Sequence, residues 1–347
     1  MKKILVAMSG GVDSSVAAAL LKRAGFNVAG AFLRCYETPG CPALEDLGVA
    51  RLAAAKIGIP FYVFDFRKEY KKKVIGYFVS GYKKGLTPNP DIMCNKTVKF
   101  GLLFEKAMAL GFDYLATGHY ARLEEKGGKI KLLKGKDPNK DQSYFLYAVK
   151  PEFLKRVIFP VGDKKKAEVR KLAKKFGLPN AQRPDSQGIC FVGRVRLGDF
   201  LDQYIKPKTG KVRLFLGNGE YKEIGEHQGA HYFTIGQRQG LGLGGGPYFV
   251  LGTDVKKNFV TVTKNEKDLC RKEIIISGLS WISGEPKFPL RATVKIRYRH
   301  KGGTATIYKM PDAKYRILFQ KPQRAIAKGQ SAVFYKGSQL LGGGLIV

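Results

Sequence analysis

Three stretches of this chain hold residue types that can do phosphate or thiol chemistry. The first is Met8-Ser9-Gly10-Gly11-Val12-Asp13-Ser14-Ser15. Its two glycines let a backbone turn tightly and approach a ligand, and its three serines add hydroxyl donors. The second is Thr87-Pro88-Asn89-Pro90-Asp91-Ile92-Met93-Cys94-Asn95-Lys96, which sets a carboxylate and a thiol behind two prolines. The third is Asp185-Ser186-Gln187-Gly188-Ile189-Cys190-Phe191, a polar loop that carries a thiol into an apolar segment. Cys94 is expected at the start of a helix running from Asn95 to Leu110. A helix N-terminus lowers a thiol pKa and raises its reactivity. Asp91 is placed for proton transfer; alternatively it caps that helix. Taken singly, each cysteine would pass for a small buried hydrophobe.

The first stretch follows Ile4-Leu5-Val6-Ala7, which reads as a buried parallel strand. It precedes Val16-Ala17-Ala18-Ala19-Leu20-Leu21-Lys22, a run of good helix formers. It is therefore a strand-to-helix turn, whose unpaired N–H groups and positive dipole end suit phosphate or pyrophosphate. No Gly-Lys-Ser/Thr follows at the spacing of a Walker A loop. The octet resembles the PP-loop of ATP pyrophosphatases, which bind ATP, adenylate a carbonyl oxygen and release pyrophosphate.

The same alternation continues downstream. Strands are expected at Asn27–Leu33, Phe61–Asp65 and Asp113–Thr117, with helices over Glu45–Ile57, Lys68–Ser80 and Asn95–Leu110 between them. Repeated βαβ units imply a doubly wound parallel sheet of Rossmann-like form. Ligands collect at the carboxyl ends of such strands, where the octet, the 33–36 segment and Gly118-His119 all fall. Lys129–Leu133 reads as a hairpin strand. Asp141-Gln142-Ser143 opens a helix through Val149, and Asp163 caps another over Lys164–Phe176. Beyond residue 205 the helical pattern stops, glycine becomes dense, and short β-type runs follow. The fold class is thus α/β followed by β. The expected divisions are a catalytic PP-loop domain over 1–205, a small central β-rich domain over 206–268 and a C-terminal β-barrel over 269–347. In the run Ala292–Arg299, alternation puts Lys295, Arg297 and Arg299 on one strand face, a stripe suited to gripping a nucleic-acid backbone.

Composition narrows the class of partner. Among 347 residues, 62 Lys and Arg stand against 28 Asp and Glu, a net charge of +34. That excess exceeds what surface solvation requires and points to a polyanionic partner, nucleic acid first. The longest apolar run is far short of a membrane span. The run after Lys2-Lys3 is too short for a signal peptide, so a cytoplasmic protein is expected. The five cysteines, at 35, 41, 94, 190 and 270, contain no Cys-x-x-Cys pair. This argues against a zinc ribbon, a thioredoxin-like site and a disulfide framework.

Taken together, the three stretches resemble the bacterial tRNA-specific 2-thiouridylases, which thiolate the wobble uridine. Ala116-Thr117-Gly118-His119-Tyr120, Asp141-Gln142-Ser143-Tyr144-Phe145-Leu146, Gly225-Glu226-His227-Gln228-Gly229-Ala230-His231 and Leu340-Leu341-Gly342-Gly343-Gly344 extend the resemblance over nearly the whole chain. It implies ATP, with Mg²⁺ on its phosphates, held by Ala7, Met8, Ser9, Gly10, Gly11, Val12, Asp13 and Ser14, with Leu33 and Gly118 against the adenosine. It implies tRNA and a persulfide-carrying sulfur-relay protein as partners. Cys190 would receive sulfur as a persulfide, and Cys94 would be the nucleophile that pairs with it in a transient disulfide. Asn89, Pro90 and Asp91 would contact the flipped target base. His119, Lys140, Asp141, Gln142, Arg297, Tyr298 and Gln330 would contact the rest of the tRNA.

Residues 34–46 depart from the expected pattern by being short and bearing Cys35 and Cys41. These thiols sit on the surface or, as the minor alternative, join Cys94 and Cys190 around a labile iron–sulfur cluster. Two rival readings remain. A PP-loop synthetase acting on a small molecule would need neither the basic surface nor the paired cysteines. A non-catalytic RNA-binding protein would have no use for an intact PP-loop.

Overall fold

The computed structural model describes residues 1–37, 43–185 and 195–347. Among these, seven strands lie in the first half: β1 (Lys3–Ala7), β2 (Asn27–Arg34), β3 (Phe61–Asp65), β4 (Tyr114–Thr117), β5 (Ala121–Lys126), β6 (Lys129–Lys134) and β7 (Val157–Ile158). Strands β3-β2-β1-β4-β7 form one parallel sheet in that order. Ile4, Leu5 and Val6 of β1 are completely buried, as expected where helices cover both faces of a parallel sheet. Chain order reverses between β1 and β4, so the crevice between their carboxyl ends is the switch point where such sheets bind ligands. Helix α1 (Val12–Arg23) leaves β1 there and packs Val16 and Ala17 in one apolar cluster with Val169 and Ala173 of a later helix.

Helix α2 (Ala43–Ile57) follows. Two longer helices, α3 over 67–83 and α4 over 90–109, each contain a π-helical segment, Lys71–Ile75 and Asn95–Leu103. In α4 the kink falls at Phe100, whose φ of −100° and ψ of 18° leave helical values. Such insertions bend helices and recur beside functional sites. Helix α5 (Lys166–Lys175) and the short α6 (Leu197–Asp202) complete this half.

The remainder is β structure. Strands β8 (Gly210–Phe215), β9 (Tyr221–His227), β10 (Phe249–Asp254) and β11 (Phe259–Thr263) form a sheet in the order β10-β11-β8-β9. Strands β12 (Cys270–Trp281), β13 (Leu290–Lys295), β14 (Gly303–Lys309), β15 (Tyr315–Arg324), β16 (Ser331–Lys336) and β17 (Gln339–Ile346) follow. They run β12-β15-β14-β13-β16-β17 and close by pairing β17 with β12. Closure removes the exposed edges of the sheet. The β5–β6 hairpin does not join the parallel sheet. It extends the barrel through Gln339↔Leu133 and Leu340↔Leu132. One apolar cluster accordingly runs from Leu5 and Ala29 through Tyr144 and Leu146 to Val333 and Tyr335 of the barrel.

The sequence expectations need correction at four places. Helix α4 starts at Pro90, not Asn95: proline is at home at the first helical position, and Asn89 caps it, accepting from the N–H groups of Asp91 and Ile92 at 3.1 and 3.2 Å. The helix expected over 141–149 is only a 3₁₀ turn, Ser143–Leu146. Tertiary bonds override propensity there, with Tyr144 donating to the Ser331 carbonyl at 2.9 Å and the Tyr147 and Ser331 hydroxyls paired at 3.0 Å. Asp163 caps nothing: α5 starts at Lys166, and the Lys165 N–H donates to Glu168 at 2.5 Å. Finally, β13 ends at Lys295, so Arg297 and Arg299 lie in the turn beyond it and form no strand-face stripe.

Candidate active site at the carboxyl ends of β1 and β4

The 8–15 turn is held from within and from three remote elements. Inside it, the Ser14 hydroxyl donates to the Gly11 carbonyl at 3.0 Å and accepts from the Ser9 N–H at 3.2 Å. Gly10 takes a φ of +77°, and a Cβ there would lie 2.6 Å from the Asp46 carbonyl, so no other residue fits without a shift. The Asn180 amide donates to the Gly10 carbonyl and to the Ser15 hydroxyl, both at 2.9 Å. From β4, Gly118 closes the crevice: a Cβ on it would stand 2.6 Å from the Ser14 N. The helix cap residue is Gly11, which offers no side chain, so the first N–H groups of α1 carry no side-chain cap. Those groups, with the dipole behind them, define an anion seat. Met8 is buried beneath the turn against Gly30 and its N–H donates to the Ala31 carbonyl at 2.8 Å, so it supports the loop.

A charge network surrounds Asp13. The Tyr120 hydroxyl donates to it at 2.7 Å, and the Lys166 ammonium donates to both its oxygens at 2.7 and 2.8 Å. Lys166 also meets Asp185 at 2.7 Å, and Asp185 is bound in turn by Lys140 at 2.5 Å and Arg170 at 2.9 Å. Burial works against the Asp185 carboxylate, but the hydrogen bonds from Lys140 and Lys166 prevail and leave its pKa below the ordinary value. Burial, then the Asp13 charge, raises the Tyr120 pKa, so it remains a donor. Lys166, Tyr120 and Asn180 carried no functional reading in the sequence; only Tyr120 fell inside a motif, and nothing local marks the other two. Among the described residues, no group of three His, Cys, Asp or Glu side chains could hold a metal ion. A magnesium ion riding on nucleotide phosphates would have Asp13 as the carboxylate of the turn, which Lys166 and Tyr120 engage here.

A second cluster forms where α4 meets the end of β4. His119 is buried, with Thr117 Oγ1 at 2.7 Å from Nδ1 and the rings of Phe100 and Phe159 at 5.7 and 6.0 Å. Burial, with a contribution from the Lys99 charge, drives its pKa well below the ordinary histidine value, so the ring is neutral near pH 7. Burial raises the Asp91 pKa, and the same Lys99 charge partly offsets this. The Lys99 charge thus acts on both groups, and a lysine one residue before a core phenylalanine gives no sign of that role in the sequence. Cys94 is the fifth residue of α4 and lies beyond the first turn, where the helix dipole acts most. It sits in an apolar cluster with Val74 and Phe78, and Cys35 and Leu33 pack against that cluster. Activation of Cys94 by the helix N-terminus is therefore not what this geometry provides. Cys41 and Cys190 lie outside the described residues, as do Ser186 to Phe191 of the third motif.

The other expected tRNA-contacting residues are mostly engaged within the chain. Asp141 is buried and accepts from the N–H groups of Gly135 and Ser143, both at 3.1 Å. Gln142 accepts from the Tyr120 N–H at 3.0 Å. Arg297 approaches the carbonyls of Arg324 and Ala325, both at 3.4 Å. Tyr298 packs on Phe145 with ring centroids 4.4 Å apart, and Phe145 gives its carbonyl to Asn95 at 3.2 Å. Gln330 donates to the Thr87 carbonyl at 2.8 Å. The described residues bring the 8–14 turn, Leu33, Gly118 and His119 to one sheet end with Asp91 and Cys94 nearby, whereas Lys140 is drawn into the Asp185 network.

An anion seat at the switch point of a parallel sheet, fused to a small sheet and a closed barrel, defines a doubly wound α/β domain with appended β modules. Family models match in the same order: a tRNA methyl transferase HUP domain over residues 2–194, a tRNA methyl transferase PRC-barrel domain over 198–264 and an aminomethyltransferase beta-barrel domain over 271–346. The tRNA-specific 2-thiouridylase MnmA of Marinomonas sp. is 44% identical, over 99% of this chain and 91% of its own. MnmA 2 of Geobacillus kaustophilus is 44% identical over 99% and 94%. MnmA of Pseudomonas syringae is 45% identical over 100% and 94%. The chain belongs to the tRNA-specific 2-thiouridylase family, which are tRNA sulfurtransferases. Among solved structures, a 4-thiouridine synthetase–RNA complex with bound ATP matches 58% of this chain and 50% of its own at 17% identity and a TM-score of 0.39. That likeness is too distant to bear on chemistry. No helix among the described residues is long and apolar enough to cross a membrane.

Proposed function

We propose that this protein catalyses ATP-dependent 2-thiolation of the wobble uridine in tRNA, in the cytoplasm. The observation that carries the reading is the anion seat of residues 8–14, closed by Gly118, in a chain of this family. MgATP lies with its phosphates on the turn and its adenosine against Leu33 and Gly118. The C2 carbonyl oxygen of the base attacks the α-phosphate, forming the C2–O–AMP linkage and releasing pyrophosphate. The uncapped α1 N–H groups answer the developing phosphate charge, and the Lys166 ammonium, shared between Asp13 and Asp185, stands beside them. Asn89, Pro90 and Asp91 hold the extruded base, and burial raises the Asp91 pKa, the direction that favours a carboxyl exchanging a proton with the base.

Sulfur arrives from a carrier protein as the terminal atom of a Cys190 persulfide. A C–S bond forms at C2 as the C–O bond to AMP breaks. The Cys94 thiolate attacks Cys190 Sγ, the persulfide S–S bond breaks, and a Cys94–Cys190 disulfide remains for an external thiol to reduce. Residues 1–205 thus carry catalysis, 206–268 form a central β-rich domain and 269–347 bind tRNA, the candidate tRNA contacts being His119, Lys140, Asp141 and Gln142 in the first region and Arg297, Tyr298 and Gln330 in the last.

The decisive measurement is mass spectrometry of nucleosides from tRNA incubated with the protein, MgATP and a persulfide source. The expected product is 2-thiouridine at the wobble position, and its absence would overturn the reading. Cys94→Ser and Cys190→Ser should each release pyrophosphate yet yield no thiolated tRNA. Thiolation at the wild-type rate by the double variant would eliminate the relay.

A further inference from the structure

Thr87 begins the loop that ends in Asn89, Pro90 and Asp91, and each of its polar groups is held by another part of the molecule. Its N–H donates to the Lys328 carbonyl at 2.8 Å. Its carbonyl accepts from the Gln330 side chain, also at 2.8 Å. Its hydroxyl is paired with that of Thr234, from the central β region, at 3.2 Å. Between the two barrel contacts stands Gly329, with a φ of +87°; a Cβ on it would meet Leu86 Cβ at 2.8 Å and the Thr87 N at 2.9 Å. The turn bearing these residues is pinned to the barrel wall on both sides, Gly329 N–H to the Ile346 carbonyl and Ile346 N–H to the Gln330 carbonyl, each at 2.9 Å. On the far side, Pro88 presses on Gly81 of α3, where a Cβ would lie 2.7 Å from Pro88 Cγ.

We propose that the barrel turn 327–330, together with Thr234, positions the 87–91 loop and through it Asp91, so that the β domains set the geometry of the reacting base. The inference rests on the function proposed above. Two prolines with fixed φ lie between Thr87 and Asp91, and Asn89 caps α4 across that stretch, so a shift at Thr87 is passed on with little slack. Gln330 is then a positioning residue whose amide is engaged by the loop's backbone. A displacement of about 1 Å at a reacting group can cost on the order of 10²-fold in rate.

The test uses the full chain with Gly329→Val, which drives a side chain into Leu86 and Thr87, and Thr234→Val, which keeps the shape and removes the hydroxyl. In tRNA-dependent pyrophosphate release, kcat should fall roughly 10- to 100-fold in Gly329→Val and less in Thr234→Val, with KM and Kd for tRNA unchanged. Amide hydrogen exchange over 91–94 should lose protection in both. Where Gly329→Val does not fold, Thr234→Val decides. Wild-type kcat and protection, or a loss of tRNA affinity that accounts for the whole effect, would overturn the proposal. A wild-type protein that releases no pyrophosphate would sink the reaction instead, and the exchange measurement would still judge the positioning.

Discussion

The turn over 8–15 and the barrel rim over 295–299 differ in what they can present to an anion. The turn offers backbone: uncapped N–H groups at the start of α1, with Gly10 and Gly118 leaving room for close approach. The nearby cation Lys166 is already matched by Asp13 and Asp185. The barrel rim can offer only side chains, and their direction depends on where the strand stops. Lys295 lies against the Tyr335 ring at 5.7 Å and Arg297 turns to backbone carbonyls, which leaves Arg299 exposed. A site made from backbone is written into a short string of sequence. A site made from side chains on a strand end is not.

The comparison breaks most visibly in salt. If tRNA binding draws on the +34 net charge, affinity should fall on the order of 10³-fold between about 50 and about 200 mM salt. Arg299→Ala should shallow the slope by about one unit, and Arg297→Ala by less because its guanidinium is engaged. Filter binding across a salt series checks both. A flat profile would sink the electrostatic reading altogether, and a larger slope change for Arg297 would mean the rim works as the strand pattern suggested.

Next in size is the turn. Asp13→Ala removes one of the two carboxylate partners of Lys166 and the acceptor of Tyr120, so tRNA-dependent pyrophosphate release should fall on the order of 10²-fold. The affinity for tRNA should hold. Equal loss of both would deny that nucleotide and RNA are handled by separate regions.

The same contrast explains what was legible in the sequence. The parallel sheet, the turn and the barrel followed from apolar runs and glycines, since both record backbone needs. The α4 start was misplaced because two prolines suggested a loop, when Asn89-Pro90 is a cap followed by a first helical residue. Asp141-Gln142-Ser143 suggested a helix opening, but burial between sheet and barrel gave its polar groups tertiary partners. Lys166, Asn180 and Thr87 left no mark because their roles arise from contacts 153, 170 and 241 positions away.

His119 supplies a smaller effect that reads burial directly. Its ring is held neutral, with a pKa well below the ordinary 6.5. Below that value the unfolded chain takes up a proton that the native ring refuses. Stability should therefore be highest above it and decline as pH falls through it. His119→Leu should flatten this decline. Urea midpoints at about pH 7.5 and about pH 5.5 check it. An unchanged pH dependence would mean that the native ring is solvated enough to protonate.

The smallest effect concerns Lys99, and it asks whether Asp91 takes a proton in the reaction. Burial raises the Asp91 pKa and the Lys99 ammonium opposes that rise. If the rate needs the carboxylate, activity should climb with pH as Asp91 ionises, then level off. Lys99→Met removes the opposing charge, so the climb should move to higher pH while the plateau stays. Lys99→Arg keeps the charge and should restore the original position. The His119 pKa would also rise in Lys99→Met, since the same ammonium depresses it. Asp91→Asn separates the two: it should remove the acid limb together with most of the activity, whereas His119→Leu should leave the limb in place. A limb unmoved in Lys99→Met would assign the proton to another group and leave Asp91 with contact to the base alone.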